Sequence, residues 1–246
     1  MKKIIFILAS ALLTAVSSQA QGVYGMFESK TLFQVGMVQD SSGAAVQSNV
    51  RFAPFANYSL QLHADVSKKL GFYTGIGIKN QGLILKNYVT DLSSKHRAYC
   101  LSIPVGVKIG NMEKETYFFF GAELLWQFSY KEKVFDGSQK AKRNNSFYKN
   151  DVTAISYSGN VGFSYKSFIF GAEYTLGGNS ASGNNNFFSD QYRFEDLNKT
   201  SYAGFKKSNI LTFFIGFRTS LKGDDSSTTQ NKVMQQASLY QYRYSF

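Results

Sequence analysis

The sequence predicts an all-β fold, a transmembrane antiparallel up-and-down β-barrel of eight strands, on three observations. Segments of about ten residues alternate apolar side chains with small or polar ones, the length and pattern of a membrane-crossing strand. The connections between these segments alternate long and short. Beyond the first twenty residues, no apolar run reaches the length a spanning helix needs.

The pattern is cleanest from Tyr99 to Ile109. Tyr99, Leu101, Ile103, Val105, Val107 and Ile109 fall on one parity, and Cys100, Ser102, Pro104, Gly106 and Lys108 on the other. Side chains alternate faces along a strand, so this segment has one wholly apolar face and one small or polar face. Taken in order, the first strand is Phe27 to Val38, with Phe33, Val35 and Met37 opposed to Gln34 and Gly36. A long connection, Asp40 to Asn57, leads to Tyr58–Val66, where Tyr58, Leu60, Leu62 and Ala64 alternate with Ser59, Gln61, His63 and Asp65. The turn Ser67–Gly71 returns the chain into Phe72–Lys79, whose inward parity carries Tyr73, Gly75, Gly77 and Lys79. Gln81 to His96 is the next long connection, with Leu83-Ile84-Leu85 as a continuation of the third strand.

The fourth strand, Tyr99–Ile109, ends at the polar turn Gly110–Lys114. Tyr117–Tyr130 follows, with Phe118, Phe120, Ala122, Leu124, Trp126, Phe128 and Tyr130 placed on one face. Lys131 to Asp151 is long, charged and Asn-rich and reads as a loop. Ile155–Tyr165 and Phe168–Leu176 are strands six and seven around a tight turn at Lys166-Ser167. Gly177 to Ser208, rich in Gly, Asn and Ser, is the longest connection, and Ile210–Leu221 is strand eight. Short periplasmic turns and longer extracellular loops are the asymmetry of bacterial outer-membrane barrels.

The chain ends differ from this core. Lys2 and Lys3, the apolar stretch Ile4–Val16 and Ser18-Gln19-Ala20 form a secretory signal peptide over residues 1–20, cleaved after Ala20. The barrel then covers 22–221, and 222–246 is a polar tail in which Tyr240, Tyr242, Tyr244 and Phe246 alternate to an aromatic terminus. A ninth spanning strand there would break the even count, so eight strands and a periplasmic tail is the simpler arrangement and ten strands the alternative. Without Lys2 and Lys3 the chain keeps 25 basic against 16 acidic side chains. Export argues against nucleic acid as the reason for that charge, and points to anionic lipid or polysaccharide. Cys100 is the only cysteine, which excludes an intramolecular disulfide or a cysteine-based zinc cluster.

A soluble barrel would alternate with its faces reversed. Three features favour lipid outside: the polar faces are mostly Ser, Gly, Gln and Thr, the apolar faces run without a charge, and aromatics such as Tyr58, Phe72, Tyr99, Tyr165, Phe168 and Tyr174 sit near strand ends. An eight-stranded interior is just wide enough to be filled by such small side chains. Ser59-Leu60-Gln61-Leu62-His63-Ala64-Asp65-Val66 before Lys-Lys-Leu-Gly, Leu101-Ser102-Ile103-Pro104-Val105, Phe120-Gly121-Ala122-Glu123 and Phe170-Gly171-Ala172-Glu173-Tyr174 are local patterns of one known family. In these the chain resembles the small outer-membrane β-barrel, or porin family, domain of Gram-negative bacteria. The resemblance covers Gly22 to Leu221, implies the barrel fold and outer-membrane location, and carries no catalytic residue.

Asp65, Lys108, Glu123, Glu173 and Arg218 are charges on five inward faces, expected to form a buried, paired polar network plugging the lumen. Glu173 and Arg218, on neighbouring strands, are the expected pair. His63 and Asp65 share a face, but the nearest serine of that parity is Ser59 and no Gly-x-Ser-x-Gly elbow exists, so a lumen histidine is expected rather than a triad. His96 stands alone at a loop edge, Cys100 is a small filler, and Pro104 marks a bulge, since it removes a ladder donor. No cofactor or metal is expected. The functional expectation is a non-enzymatic surface or envelope-structural barrel acting through residues 40–57, 131–151 and 177–208 on an unidentified protein partner. A narrow pore or lipid-modifying barrel enzyme is the alternative. Outer-membrane lipid and polysaccharide, periplasmic chaperones and the barrel assembly machinery are the other expected partners.

Overall fold

The computed structural model describes residues 22–40, 43–87, 92–136, 139–146, 155–177, 193–194, 199–200 and 205–221. The signal peptide, the tail with Tyr240–Phe246 and parts of each long connection lie outside the described residues.

Eight strands form the ring: β1 (Gly22–Asp40), β2 (Tyr58–Asp65), β3 (Leu70–Asn87), β4 (Leu92–Asn111), β5 (Thr116–Asp136), β6 (Ile155–Tyr165), β7 (Phe168–Leu176) and β8 (Phe205–Ser220). Each pairs antiparallel with its sequence neighbours, and β1 pairs β8 from Met26↔Ser220 to Asp40↔Phe205, closing the barrel. The short turns after β2, β4 and β6 lie at the end that also carries Gly22 and Leu221. Closure leaves no open edge, which is the requirement for strands in a hydrocarbon layer.

The outward parity is apolar around the circumference. Ile76, Val105, Phe120, Phe170, Phe213 and Ile215, all in mid-strand, are each about half exposed. The inward parity is buried and alternates large with small side chains. Tyr73 of β3 lies against Gly106 of β4 and Gly121 of β5, where an added Cβ would sit 2.5 Å and 2.3 Å from the Tyr73 side chain. Phe119 lies on Gly162 and Phe214 on Gly171 in the same way. A ring of eight has room for one large side chain per layer only where its neighbours are glycine.

Four details depart from the sequence reading. The long strands β3, β4 and β5 extend past the apolar belt, so Lys131–Asp136 continues β5 and Gln139–Ser146 pairs back onto it, rather than forming a loop. At Phe128 a β-bulge shifts the β4–β5 register between Tyr99 and Cys100. One extra residue on one strand flips everything beyond it, so Tyr130 turns inward, 2% exposed, instead of joining Trp126 on the lipid face. Pro104, by contrast, makes no bulge: Thr74↔Val105 and Gly77↔Ser102 keep one register, and the ladder merely lapses between them. The chain tolerates the missing donor without adding a residue.

The fourth departure is in the first long connection. Ala45–Val46 and Arg51–Ala53 pair with β1 and Ser48–Asn49 pairs with β3, so this polar segment is the upper half of the second barrel stave. It is broken at Pro54–Asn57. Ser29 faces Tyr58 and Leu32 faces Ala53, so four residues oppose Lys30 and Thr31. Ala56 takes a φ of 62°, and the Asn57 side chain donates to the Ala53 and Phe55 carbonyls and accepts from the Asn80 N–H, satisfying the backbone that the break frees.

Candidate functional site

Among the described residues, the lumen is where the fold gathers charged side chains away from solvent. Its middle layer centres on Lys79 of β3. The ammonium donates to Glu123 of β5 and to Glu173 of β7, and all three side chains are buried. Glu173 accepts further bonds from Gln81 Nε2 (3.0 Å) and Thr175 Oγ1 (3.0 Å), and Ser158 Oγ donates to Glu123 at 3.4 Å. Gln34 Nε2 donates to Gln81 Oε1 at 2.6 Å, and Arg51 donates to Gln34 Oε1. The network thus crosses the barrel from the second stave to β7. A buried ionised group is tolerable only when paired and hydrogen-bonded, and this arrangement provides both.

Below it, Arg218 Nη2 donates to Glu28 Oε2 at 2.7 Å, and Arg218 Nη1 donates to Tyr117 Oη. Glu28 also takes Lys30 at 2.6 Å and Gln61 Nε2 at 3.0 Å. Lys108 meets Asp65 at 2.6 Å at the short-turn end, beside Tyr24. All five charges named from the sequence therefore point into the barrel, in three separate groups. The expected Glu173–Arg218 pair does not form. Glu173 is level with Thr212 on β8 and Arg218 lies six residues further along, about 20 Å at strand rise. Each finds its partner across the lumen or on the other neighbour.

The residues that complete the groups, Lys79, Glu28, Lys30 and Arg51, were not singled out in the sequence. Lys79 and Glu28 carry the signal that could have found them, a charge on an inward parity. Arg51 has no such signal, because its segment shows no alternation.

Two apolar clusters are interleaved with the polar groups, the lower one above Glu28 and Arg218 on β1 and β8. Leu32, Tyr73, Phe119, Ile169 and Phe214 pack below the Lys79 group, while Val38, Leu83, Leu85, Ala98, Cys100, Leu125, Tyr130 and Ile210 pack above it. Among the described residues, one small cavity lies beside Glu28, Gln61 and Arg218 and another beside Lys30, Lys79 and Glu123, each about 20 Å³. That is room for about one water molecule each.

Both histidines are buried inside the barrel. His63 is stacked between Tyr24 and Tyr73, and its Nε2 lies 3.0 Å from Gln61 Oε1, with Asp65 engaged by Lys108 instead. His96, expected at a loop edge with no partner, is buried in the upper layer, with Ser94 Oγ 2.8 Å from Nε2 and Tyr130 Oη 2.7 Å from Nδ1. The extension of β4 beyond Tyr99 carries it inward. It lies above the apolar belt, and burial pushes its pKa down to about 3. Its unfolded value is near 6.5, so between these two values the unfolded chain binds the extra proton. The contribution of His96 to stability should therefore be fully present above about pH 6.5 and be lost as pH drops below it. Denaturation midpoints measured from pH 8 to pH 4 should show this loss, and His96→Gln should lessen it.

Closed ring, apolar exterior and polar interior together are the architecture of a small outer-membrane β-barrel. No family model matches the chain, and no curated protein matches it. Among solved structures, Neisserial surface protein A is similar at 13% identity, with 81% of this chain and 99% of that one covered and a TM-score of 0.40. Ail, the attachment invasion locus protein of Yersinia pestis, matches at 11% identity, 80% and 99% coverage and a TM-score of 0.35. OprG from Pseudomonas aeruginosa matches at 11%, with 82% and 98% coverage and 0.33. Likenesses at this level carry nothing about function for this chain, whose fold rests on its own strand pairing.

Proposed function

We propose that the protein resides in a bacterial outer membrane, reached through a cleaved signal peptide at 1–20, and acts without catalysis through the connections at its long-loop end. The observation that supports this most is the unbroken apolar exterior around a lumen packed with its own paired charges. An apolar surface of that extent is stable only against lipid. A packed lumen leaves the long connections as the surface free to contact protein partners or polysaccharide. Periplasmic chaperones and the assembly machinery are the partners such a chain meets on its way.

Cys100 is buried, so an introduced cysteine can report topology alone. A membrane-impermeant maleimide should label Ser182→Cys on intact cells, and label Lys68→Cys only after the outer membrane is permeabilised. Labelling of Lys68→Cys on intact cells, with Ser182→Cys protected, would overturn the orientation. A protein that migrated identically on gels before and after heating would overturn the barrel in its membrane form.

A further inference from the structure

The outer wall of β4 and β5 changes character immediately above the belt. Tyr99 and Trp126 mark its edge, and on the same outward face the next positions of β4 are Arg97 and Lys95. Their cross-strand neighbours on β5 are Lys131 and Lys133. The Arg97–Lys131 rung therefore sets cation against cation, an arrangement that costs a sheet stability. On the other side of β4, Arg97 faces Gly82 and Lys95 faces Ile84, so β3 supplies no acid. No carboxylate among the described residues lies within ion-pair distance of Lys95, Arg97 or Lys131. Lys131 instead holds its ammonium 5.4 Å from the Tyr99 ring centre.

A fifth cation stands behind this surface. Arg51 reaches through the seam between the broken second stave and β3 and lies against Gly82, where an added Cβ would be 2.8 Å from its Cζ. Its Nη atoms bond to Gln34 and Asn80, both uncharged, and its Nε is buried with no partner. Lys95, partly buried and facing Arg97, Arg51 and Lys133, is held below the usual lysine range. Positive charge is thus concentrated at Arg97, Lys131 and Lys95, with no carboxylate of the described residues to neutralise it, and Arg97 and Lys95 stand about 7–13 Å beyond Tyr99, counted at strand rise.

We propose that this wall binds the phosphate-bearing headgroup of an outer-leaflet lipid. A lipid whose chains lie against Leu101, Ile103 and Trp126 carries its phosphate to the height of Arg97 and Lys95. Charge-assisted bonds from guanidinium and ammonium groups would there relieve the repulsion within the Arg97–Lys131 rung. The inference rests on the placement of the long-loop end at the outer leaflet, proposed above.

The test is native mass spectrometry of the folded barrel in detergent with three probes: a bis-phosphorylated glucosamine-disaccharide lipid, the same lipid dephosphorylated, and its phosphorylated headgroup without acyl chains. Wild type should retain the phosphorylated lipid about tenfold better than the other two. Arg97→Gln/Lys131→Gln should lose that preference while keeping the gel shift of a folded barrel, and Lys68→Gln/Lys69→Gln, at the opposite end, should keep it. Equal retention of the two lipids, or equal loss in both double variants, would overturn the site. Equal retention of the acyl-free headgroup would show that it takes soluble phosphate instead of lipid. A barrel that passes the maleimide test and shows no phosphate preference loses this site and keeps its placement.

Discussion

Replacing Lys79 with methionine should lower the unfolding free energy by about 3–5 kcal/mol, the cost of leaving buried charge without its partner. One ammonium here serves two buried carboxylates, so its loss strands both Glu123 and Glu173. Converting the whole group, Lys79→Met with Glu123→Gln and Glu173→Gln, should recover much of the loss, since no lone charge then remains. Arg218→Met makes the comparison informative. Glu28 would keep Lys30 at 2.6 Å and Gln61, so the cost should be only about 1.5–3 kcal/mol, that of a bond to a charged group. Urea titrations in lipid vesicles give both values. If Lys79→Met unfolded at the same urea concentration as wild type, the carboxylates would be hydrated, and the lumen would be wet rather than packed.

On the outer face, Ile103→Arg should cost about 2–4 kcal/mol, because a guanidinium near the bilayer midplane must be dragged from water. Leu124 is its cross-strand neighbour and should respond alike. Ile109, six residues nearer the short turns, is equally exposed but sits at the edge of the belt, so Ile109→Arg should cost only about 0–1 kcal/mol. Equal losses at the three positions would mean that the apolar face does not span a hydrocarbon layer. A gradient from Ile103 to Ile109 locates the midplane on β4 directly.

What the sequence reveals here follows from the physics of alternation. Tyr99–Ile109 is legible because each residue reports its face without help from a partner. The eight staves were therefore readable, and so were the inward charges Asp65, Lys108, Glu123, Glu173 and Arg218. Phe128 was not, because a bulge is a relation between two strands and leaves no mark on one. Once it intervenes, parity misplaces Tyr130. The segment Ala45–Ala53 was missed for a different cause: its short pairings switch between β1 and β3, so no period of two survives along it. The partner of each charge was illegible too. Parity tells that Glu173 points inward, but only the register around the ring tells that Lys79 stands within reach and Arg218 does not.

The central claim is that the barrel's interior is closed by its own side chains while its exterior holds it in the bilayer. Ion flux through vesicles that carry folded protein, verified by the heat-dependent gel shift, tests it most directly. A pH-sensitive dye trapped inside should hold its gradient as well as in protein-free vesicles, and planar-bilayer recordings should show no steady current. A stable ohmic conductance from the folded wild type would contradict the account, because Lys79, Glu123 and Glu173 would then line a water-filled path.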